Sequence, residues 1–211
     1  MAHGLEMMTF ISFTAETDLI QHVRTSVRDE IMSESFRLPG AQVTARPAAP
    51  NDADRIQAYV RSLTPASRYF RFLGAISELS ATELHRATHP SASSASLVLE
   101  SHCDGTRTMI GEARWHLAAN GQTCEFAASI TDAWQRRGFG TWLLNHVAAR
   151  VRSLGARLLV AEILHANQPA QRLVRKLGFH ALPSNFDPKV MCFVKELEPG
   201  ERAVVARAKP R

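Results

Sequence analysis

The stretch Ser129-Ile-Thr-Asp-Ala-Trp-Gln-Arg-Arg-Gly-Phe-Gly-Thr141 restricts the fold more than any other part of this 211-residue chain. It reads as the end of a strand, a turn and the start of a helix. Gly138 and Gly140, two apart, let backbone N–H groups approach a ligand closely. The helix behind them begins with unpaired N–H donors and the positive end of its dipole. An anion suits this arrangement, most simply a pyrophosphate. The other reading is a tight β–α turn with incidental arginines. A nucleotide-hydrolase loop is excluded, because Thr141 and Trp142 follow the second glycine where lysine and Ser/Thr are required. A dinucleotide fingerprint needs a third glycine, and Leu143 stands there.

The elements around this turn set the fold class. Gln42–Arg46 reads as a short strand. Asn51 or Asp52 can cap a helix through Leu63 that buries Ile56, Tyr59, Val60 and Leu63. Pro65 opens a second helix, and Ser80-Ala-Thr-Glu83 is a capping box for a third, ending near His89. Strands are expected at 97–101, 108–117 and 123–131, with Asp104-Gly105 and Asn120-Gly121 as the turns. Then come a helix 138–154, a strand 158–163, a helix 167–177 and a strand 190–197, with Gly155 and Gly178 closing the helices. Antiparallel strands first and β-α-β-α-β after them give an α+β class: a mixed, largely antiparallel sheet flanked by helices.

Outside residues 41–198 the chain looks different. Leu19, Ile20, Val23, Val27 and Ile31 share one face of a helix over Thr17–Glu34, so residues 1–40 read as a helical N-terminal extension that Pro39 and Gly40 end. Its apolar face packs on the domain or on a second copy of the chain, a homodimer in the latter case. Residues 199–211 read as a disordered basic tail. Three widely spaced cysteines fit a reducing, cytoplasmic setting, and no apolar run reaches membrane-spanning length. No metal is expected: His85 and His89 sit four apart without the glutamate or third ligand of a zinc site.

Charge points to an anionic ligand. The chain carries 25 basic and 20 acidic side chains, a net +5. Between Asp132 and Asp187 the only acid is Glu162, against Arg136, Arg137, Arg150, Arg152, Arg157, Arg172, Arg175 and Lys176. A polyanion would be drawn to this half of the chain. The arginines lack interleaved aromatics, so no nucleic acid partner is expected.

At this point the chain resembles the GCN5-related N-acetyltransferase family. That family's cofactor loop, Gln/Arg-x-x-Gly-x-Gly/Ala, is matched by Gln135-Arg136-Arg137-Gly138-Phe139-Gly140. A second element follows at the expected distance: Asn167, Ala170, Leu173 and Lys176-Leu177-Gly178-Phe179. The resemblance covers about residues 42 to 197. Within the family the chain is similar to the catalytic domain of bacterial protein lysine acetyltransferases, in Leu63-Thr-Pro-Ala-Ser-Arg-Tyr-Phe-Arg-Phe72, Glu125-Phe-Ala-Ala-Ser129 and Asp187-Pro188. It implies acetyl-CoA as cofactor and a primary amine as acceptor, a protein lysine before a small molecule. The pyrophosphate would rest on N–H groups of Arg136, Arg137, Gly138, Phe139, Gly140 and Thr141, behind Gln135. The pantetheine would lie along Ser129 and Ile130, in a V between their strand and 158–163, and Asn167 would touch it.

Such a reaction needs a base, because an alkylamine with a pKa of about 10.4 is almost wholly protonated at neutral pH. Strand alternation puts Glu125 on one face with Ala127 and Ser129, and the resemblance points to the same position. Glu112 on the neighbouring strand is the alternative. If Asn120-Gly121 is a two-residue turn, paired positions sum to 241 and His116 faces Glu125, where it could tune the carboxylate or relay a proton. An exposed strand carboxylate and a surface pair without consequence are the other readings. Many family members carry a tyrosine after the leucine of the second element, as an acid for the leaving thiolate; here Val174 stands there. That departure leaves open a CoA-binding module without turnover.

Overall fold

The computed structural model describes residues 34–38, 41–103, 105–182 and 187–197. In chain order the elements are β1 (Glu34–Leu38), β2 (Ala41–Pro47), α1 (Ala53–Ser62), α2 (Pro65–Phe72), α3 (Ala81–Thr88), β3 (Ser94–Cys103), β4 (Thr106–Leu117), β5 (Thr123–Ile130), α4 (Phe139–Ser153), β6 (Leu158–Leu164), α5 (Gln168–Lys176), β7 (His180–Leu182) and β8 (Val190–Glu196). The strands form one sheet in the order β1-β2-β3-β4-β5-β6-β8-β7. Among the described residues only β5 and β6 pair in parallel; every other pair is antiparallel. This is the expected mixed, largely antiparallel class.

One boundary is corrected. Glu34, read as the last residue of an N-terminal helix, begins β1, whose register on β2 runs from Glu34↔Ala45 to Leu38↔Ala41. Ladder pairing with an existing strand overrides a helical spacing that a five-residue run is too short to contradict. The rest of the expected extension and the tail 199–211 lie outside the described residues. β3 also starts three residues earlier than expected, and β7, exposed throughout, gave no apolar signal.

Two apolar layers cover the sheet. On one face Phe139, Leu143, Val147 and Val151 of α4 and Val174 of α5 pack on Trp115, Cys124, Leu159 and Phe193. On the other, Ile56, Tyr59 and Val60 of α1 and Ala87 of α3 pack on Val98. Strand alternation sends successive β5 residues to opposite layers, which puts Cys124 and Phe126 under α4 and α5 and turns Glu125, Ala127 and Ser129 to the other side.

An ion network ties α1 to the sheet. Arg46 of β2 donates to both oxygens of Asp52 (2.7 and 2.8 Å) and of Glu100 (2.9 and 3.0 Å). Arg55 adds bonds to the same two carboxylates. Asp52 and Glu100 are buried, so their charges need these partners. The hydrogen bonds from Arg46 hold the Asp52 carboxyl below its usual range; burial pushes Glu100 upward, but Arg46 and Arg55 outweigh it and hold it low too. Depressed folded-state values mean stability is present above the unfolded carboxylate range and is lost as pH falls through the folded values, below about 4. Arg46→Ala is expected to cost about 3 kcal/mol, the low end for breaking a buried pair, since Arg55 still faces both acids. Denaturant unfolding at pH 7 reads the loss.

Candidate functional site

The site begins where β5 and β6 part. They pair only at Thr123↔Leu158, Cys124↔Leu159 and Glu125↔Val160. Past Glu125, β5 stays registered on β4 as far as Gly111↔Ile130, while β6 stays on β8 as far as Leu164↔Val190. The two strands therefore diverge into a V, and the main-chain groups of 126–130 that face β6 have no ladder partner. Gly111 shows how β5 is held to the β4 side. A Cβ there would stand 2.6 Å from Ile130 Cδ1 and 3.0 Å from the Ser129 carbonyl oxygen. In the sequence this glycine is marked only by its place opposite the strand end.

The turn after β5 is strained open. Thr131 N–H donates to the Ile110 carbonyl, and a short 3-10 turn covers Asp132–Trp134. Arg136 and Gly138 both take left-handed backbone angles, φ 59° and 92°. For arginine that costs about 1–2 kcal/mol; alternating hands aim successive N–H groups into one concavity. Gly138 is the N-cap of α4, no side chain caps the helix, and its first turn holds no acid. The early N–H donors of Gly140 and Thr141 are thus left for a ligand. Phe139, 1% exposed, anchors the turn against Trp134 at 5.7 Å, with Arg137 over the same indole. Gly140 has a packing reason of its own: a Cβ would meet Leu173 of α5 at 3.0 Å. Gln135 is used locally, its Nε2 donating to the Ile130 carbonyl at 3.0 Å.

A clip unforeseen in the sequence joins this turn to α2. Thr64 caps α2, accepting from Ser67 N–H, and the Thr64 N–H, the Thr64 hydroxyl and the Ser67 hydroxyl all donate to Asp132 at 3.4, 3.1 and 2.8 Å. Burial pushes the Asp132 carboxyl up, but these bonds win and hold it below the usual range. The run Leu63-Thr-Pro-Ala-Ser67 acquires a physical role: it fastens the α1–α2 corner to the turn.

Glu125 is the last β5 residue paired to β6, so it stands at the crotch of the V, and it is exposed. The register His116↔Glu125 is as expected. The loop is longer than a two-residue turn, with Ala118 N–H on the Thr123 carbonyl and Asn120 Oδ1 accepting from Gln122 and Thr123 N–H. The sum of 241 survives because residues are added evenly on both sides. Glu162 lies near Glu125; burial, then the charges of Glu125 and Asp187, push its carboxyl upward.

Glu112 has a different setting. It is 1% exposed and paired with Arg71 and Arg114 at 2.9 and 2.7 Å. Burial favours its neutral form, but the two arginines outweigh burial and hold it ionised. A carboxylate so clamped is a poor proton acceptor. Tyr59, 3% exposed, reaches from α1 to the Ser129 hydroxyl at 2.9 Å. Cys124 is an inert thiol, pushed up to about 12 by burial and the Glu125 charge.

Across the V, Asn167 caps α5, its Oδ1 accepting from Ala170 N–H at 3.2 Å, so its amide nitrogen is the part that could meet a ligand. Buried Gln171 locks the β6–α5 corner through the Leu164 and His165 carbonyls. Val174 is 3% exposed inside the α4–α5 core. Val174→Tyr is expected to destabilise by overpacking, about 1–3 kcal/mol, readable as a lower melting temperature.

His85 and His89 stack with centroids 3.9 Å apart at the end of α3. Cys103, Cys124 and Cys192 form no disulfide among the described residues. No helix among the described residues is long and apolar enough to cross a membrane.

A parallel strand pair that splays beside an uncapped, glycine-opened helix start leaves main-chain groups that suit an extended, anionic ligand. The comparisons agree. The family model described as Acetyltransferase (GNAT) domain matches residues 42–180. Acetyltransferase PA5475 of Pseudomonas aeruginosa is 31% identical over 141 residues, 66% of this chain and 76% of that protein. Among solved structures, the GNAT domain of S. lividans PAT superposes with a TM-score of 0.69 at 27% identity, over 78% of this chain and 97% of that one. Spermidine N-acetyltransferase from Vibrio cholerae, in complex with CoA and spermine, has a TM-score of 0.60 at 18% identity, over 74% and 96%, a likeness of fold. The chain belongs to the GCN5-related N-acetyltransferase family. It is an acetyltransferase, and acetyl-CoA is its acyl donor.

Proposed function

We propose that the chain moves the acetyl group of acetyl-CoA to a protein lysine by direct attack, with Glu125 as general base. The observation that carries this reading is the place of Glu125 at the crotch of the V. The diphosphate rests on the N–H groups of residues 136–141, with Arg136 and Arg137 exposed beside it. The pantetheine runs down the gap along Ile130 with the Asn167 amide on its other side, and the thioester stops beside Ser129, with Glu125 reaching the amine directly or through a water. Unpaired main-chain N–H groups on β5 are suited to the carbonyl oxygen as it becomes an oxyanion.

The acceptor is a cation before it reacts. The Glu162 carboxyl interacts with those of Glu125 and Asp187, and their field attracts an ammonium. Glu125 and Glu162 are exposed, which suits an amine presented on a protein surface. Glu125 takes a proton from the ammonium, directly or through a water, and the neutral amine attacks. His116, its cross-strand partner, supports that carboxylate. An acetyl-cysteine intermediate is disfavoured, because the nearby Cys124 and Cys192 thiols are both held protonated by burial and acidic neighbours.

A thiol-release assay with acetyl-CoA, over folded proteins, lysine peptides and polyamines, tests the reading. Release with proteins or peptides, with acetyl-lysine found by mass spectrometry, supports it. Release with polyamines alone replaces the lysine acceptor by a small amine.

A further inference from the structure

We propose that Ser129, oriented by Tyr59, donates a hydrogen bond to the sulfur of the departing CoA thiolate and so fills the role for which position 174 offers only a buried valine. The proposal rests on the placement of the acyl end in the V between β5 and β6.

The need is chemical. As the tetrahedral intermediate collapses, charge gathers on sulfur in a gap that bound cofactor closes to water. A donor aimed at that sulfur lowers the barrier. Val174 faces the core at 3% exposure and carries no donor. Ser129 is better placed. It lies four residues past Glu125 on the same side of β5, beyond the last β5–β6 pair, and is half-buried.

Tyr59 fixes where the serine proton goes. The two oxygens are 2.9 Å apart, and either could donate. If Ser129 donated to Tyr59, the phenol proton would have to find another acceptor at a site only 3% exposed. If Tyr59 donates, its proton is satisfied, and the Ser129 proton is free to turn into the gap. The second arrangement avoids a buried unmet donor and is preferred. Burial, then the Glu112 charge, hold the phenol pKa above its ordinary value, so Tyr59 remains a donor at every working pH.

The charges beside this spot are of both signs. Glu112 is the cross-strand partner of Ser129, and it is clamped between Arg71 and Arg114, a cluster with one net positive charge. Arg71 Nε, Arg114 Nη2 and Glu112 Oε1 of this cluster are buried without hydrogen-bond partners.

Glu125 hands the first ammonium proton on to water and is a carboxylate again; the amine nitrogen then forms a C–N bond with the thioester carbonyl carbon and gives its second proton to Glu125. The C–S bond breaks, and its electron pair stays on sulfur. Ser129 holds that sulfur through its O–H and keeps the proton, because an aliphatic hydroxyl is a weaker acid than a thiol. The thiolate leaves and is protonated by water.

Single-turnover rates with acetyl-CoA and with its selenium analogue separate this role from a structural one, since a selenolate is the better leaving group and gains less from a donor. Ser129→Ala is expected to slow acetyl-CoA by about 10–100-fold, the range for losing a hydrogen bond to a charged group. With the selenoester most of that loss disappears. Ser129→Thr restores the rate, and Tyr59→Phe gives a smaller loss with the same selenium dependence. CoA affinity, measured by calorimetry, changes little in each. Equal losses on both esters, or no loss in Ser129→Ala while Glu125→Gln is slow, overturn the serine role alone. No loss in either variant removes the acyl end from the V and overturns both readings.

Discussion

Gly138→Glu is expected to abolish measurable CoA binding while leaving a folded domain. Two effects act together. Gly138 has φ 92° at the N-cap of α4, a conformation that costs a residue with a side chain about 1–2 kcal/mol. Nothing lies within 4 Å of a Cβ there, so the new side chain meets open space and the fold tolerates it. Its carboxylate then stands where the diphosphate is to sit. Two like charges about 4 Å apart near a protein surface repel by about 4 kcal/mol, roughly a thousandfold in affinity. Gly138→Ala separates the effects, since it keeps the strain and adds no charge. Calorimetry with CoA, beside thermal melts of both variants, is the measurement. Unchanged affinity in Gly138→Glu would move the diphosphate away from the α4 start.

That prediction depends on a motif readable without coordinates, and the reasons for its legibility are physical. A helix start that must present bare N–H groups needs glycine for backbone hand and for close approach, and both needs leave residues in the sequence. The β4–β5 register was legible for a similar reason, because Asn120 fixes its loop through its own side chain. Alternation then carried Glu125 to the correct side of the sheet. Other features left no local mark. The splay of β5 from β6 arises from partners far apart in the chain, with Gly111 accommodating Ile130 across a strand pair. The Asp132 clip joins residues 65 to 68 positions apart. Glu112 looked like a spare base until its arginines appeared, one of them from α2. Tyr59 read as one more apolar helix position, and only the tertiary fold brings its hydroxyl to Ser129. β1 was hidden by a helical spacing that ran on into Glu34.

Glu125→Gln is expected to reduce turnover by about 10²–10⁴-fold, the usual contribution of a general base, with acetyl-CoA affinity little changed. The amide keeps the size and the hydrogen-bonding capacity of the carboxyl, and Glu125 is exposed, so the fold has no reason to suffer. The defect should depend on pH in a definite direction. An acceptor amine with a pKa of about 10.4 supplies about tenfold more neutral nucleophile for each unit of rising pH below that value. A variant without its base gains from this directly, so its rate climbs toward wild type as pH rises. Glu162 is the nearby group able to deputise, with a carboxyl pushed upward by burial and by Glu125 and Asp187. Removing the Glu125 charge relieves part of that push. If Glu162 stands in, Glu125→Gln alone falls at the mild end of the range and Glu125→Gln/Glu162→Gln falls further. If Glu125 acts alone, the second substitution adds nothing to the chemical step. A near-normal rate for Glu125→Gln across the whole pH range, with Glu162 also replaced, would remove both carboxylates from proton transfer.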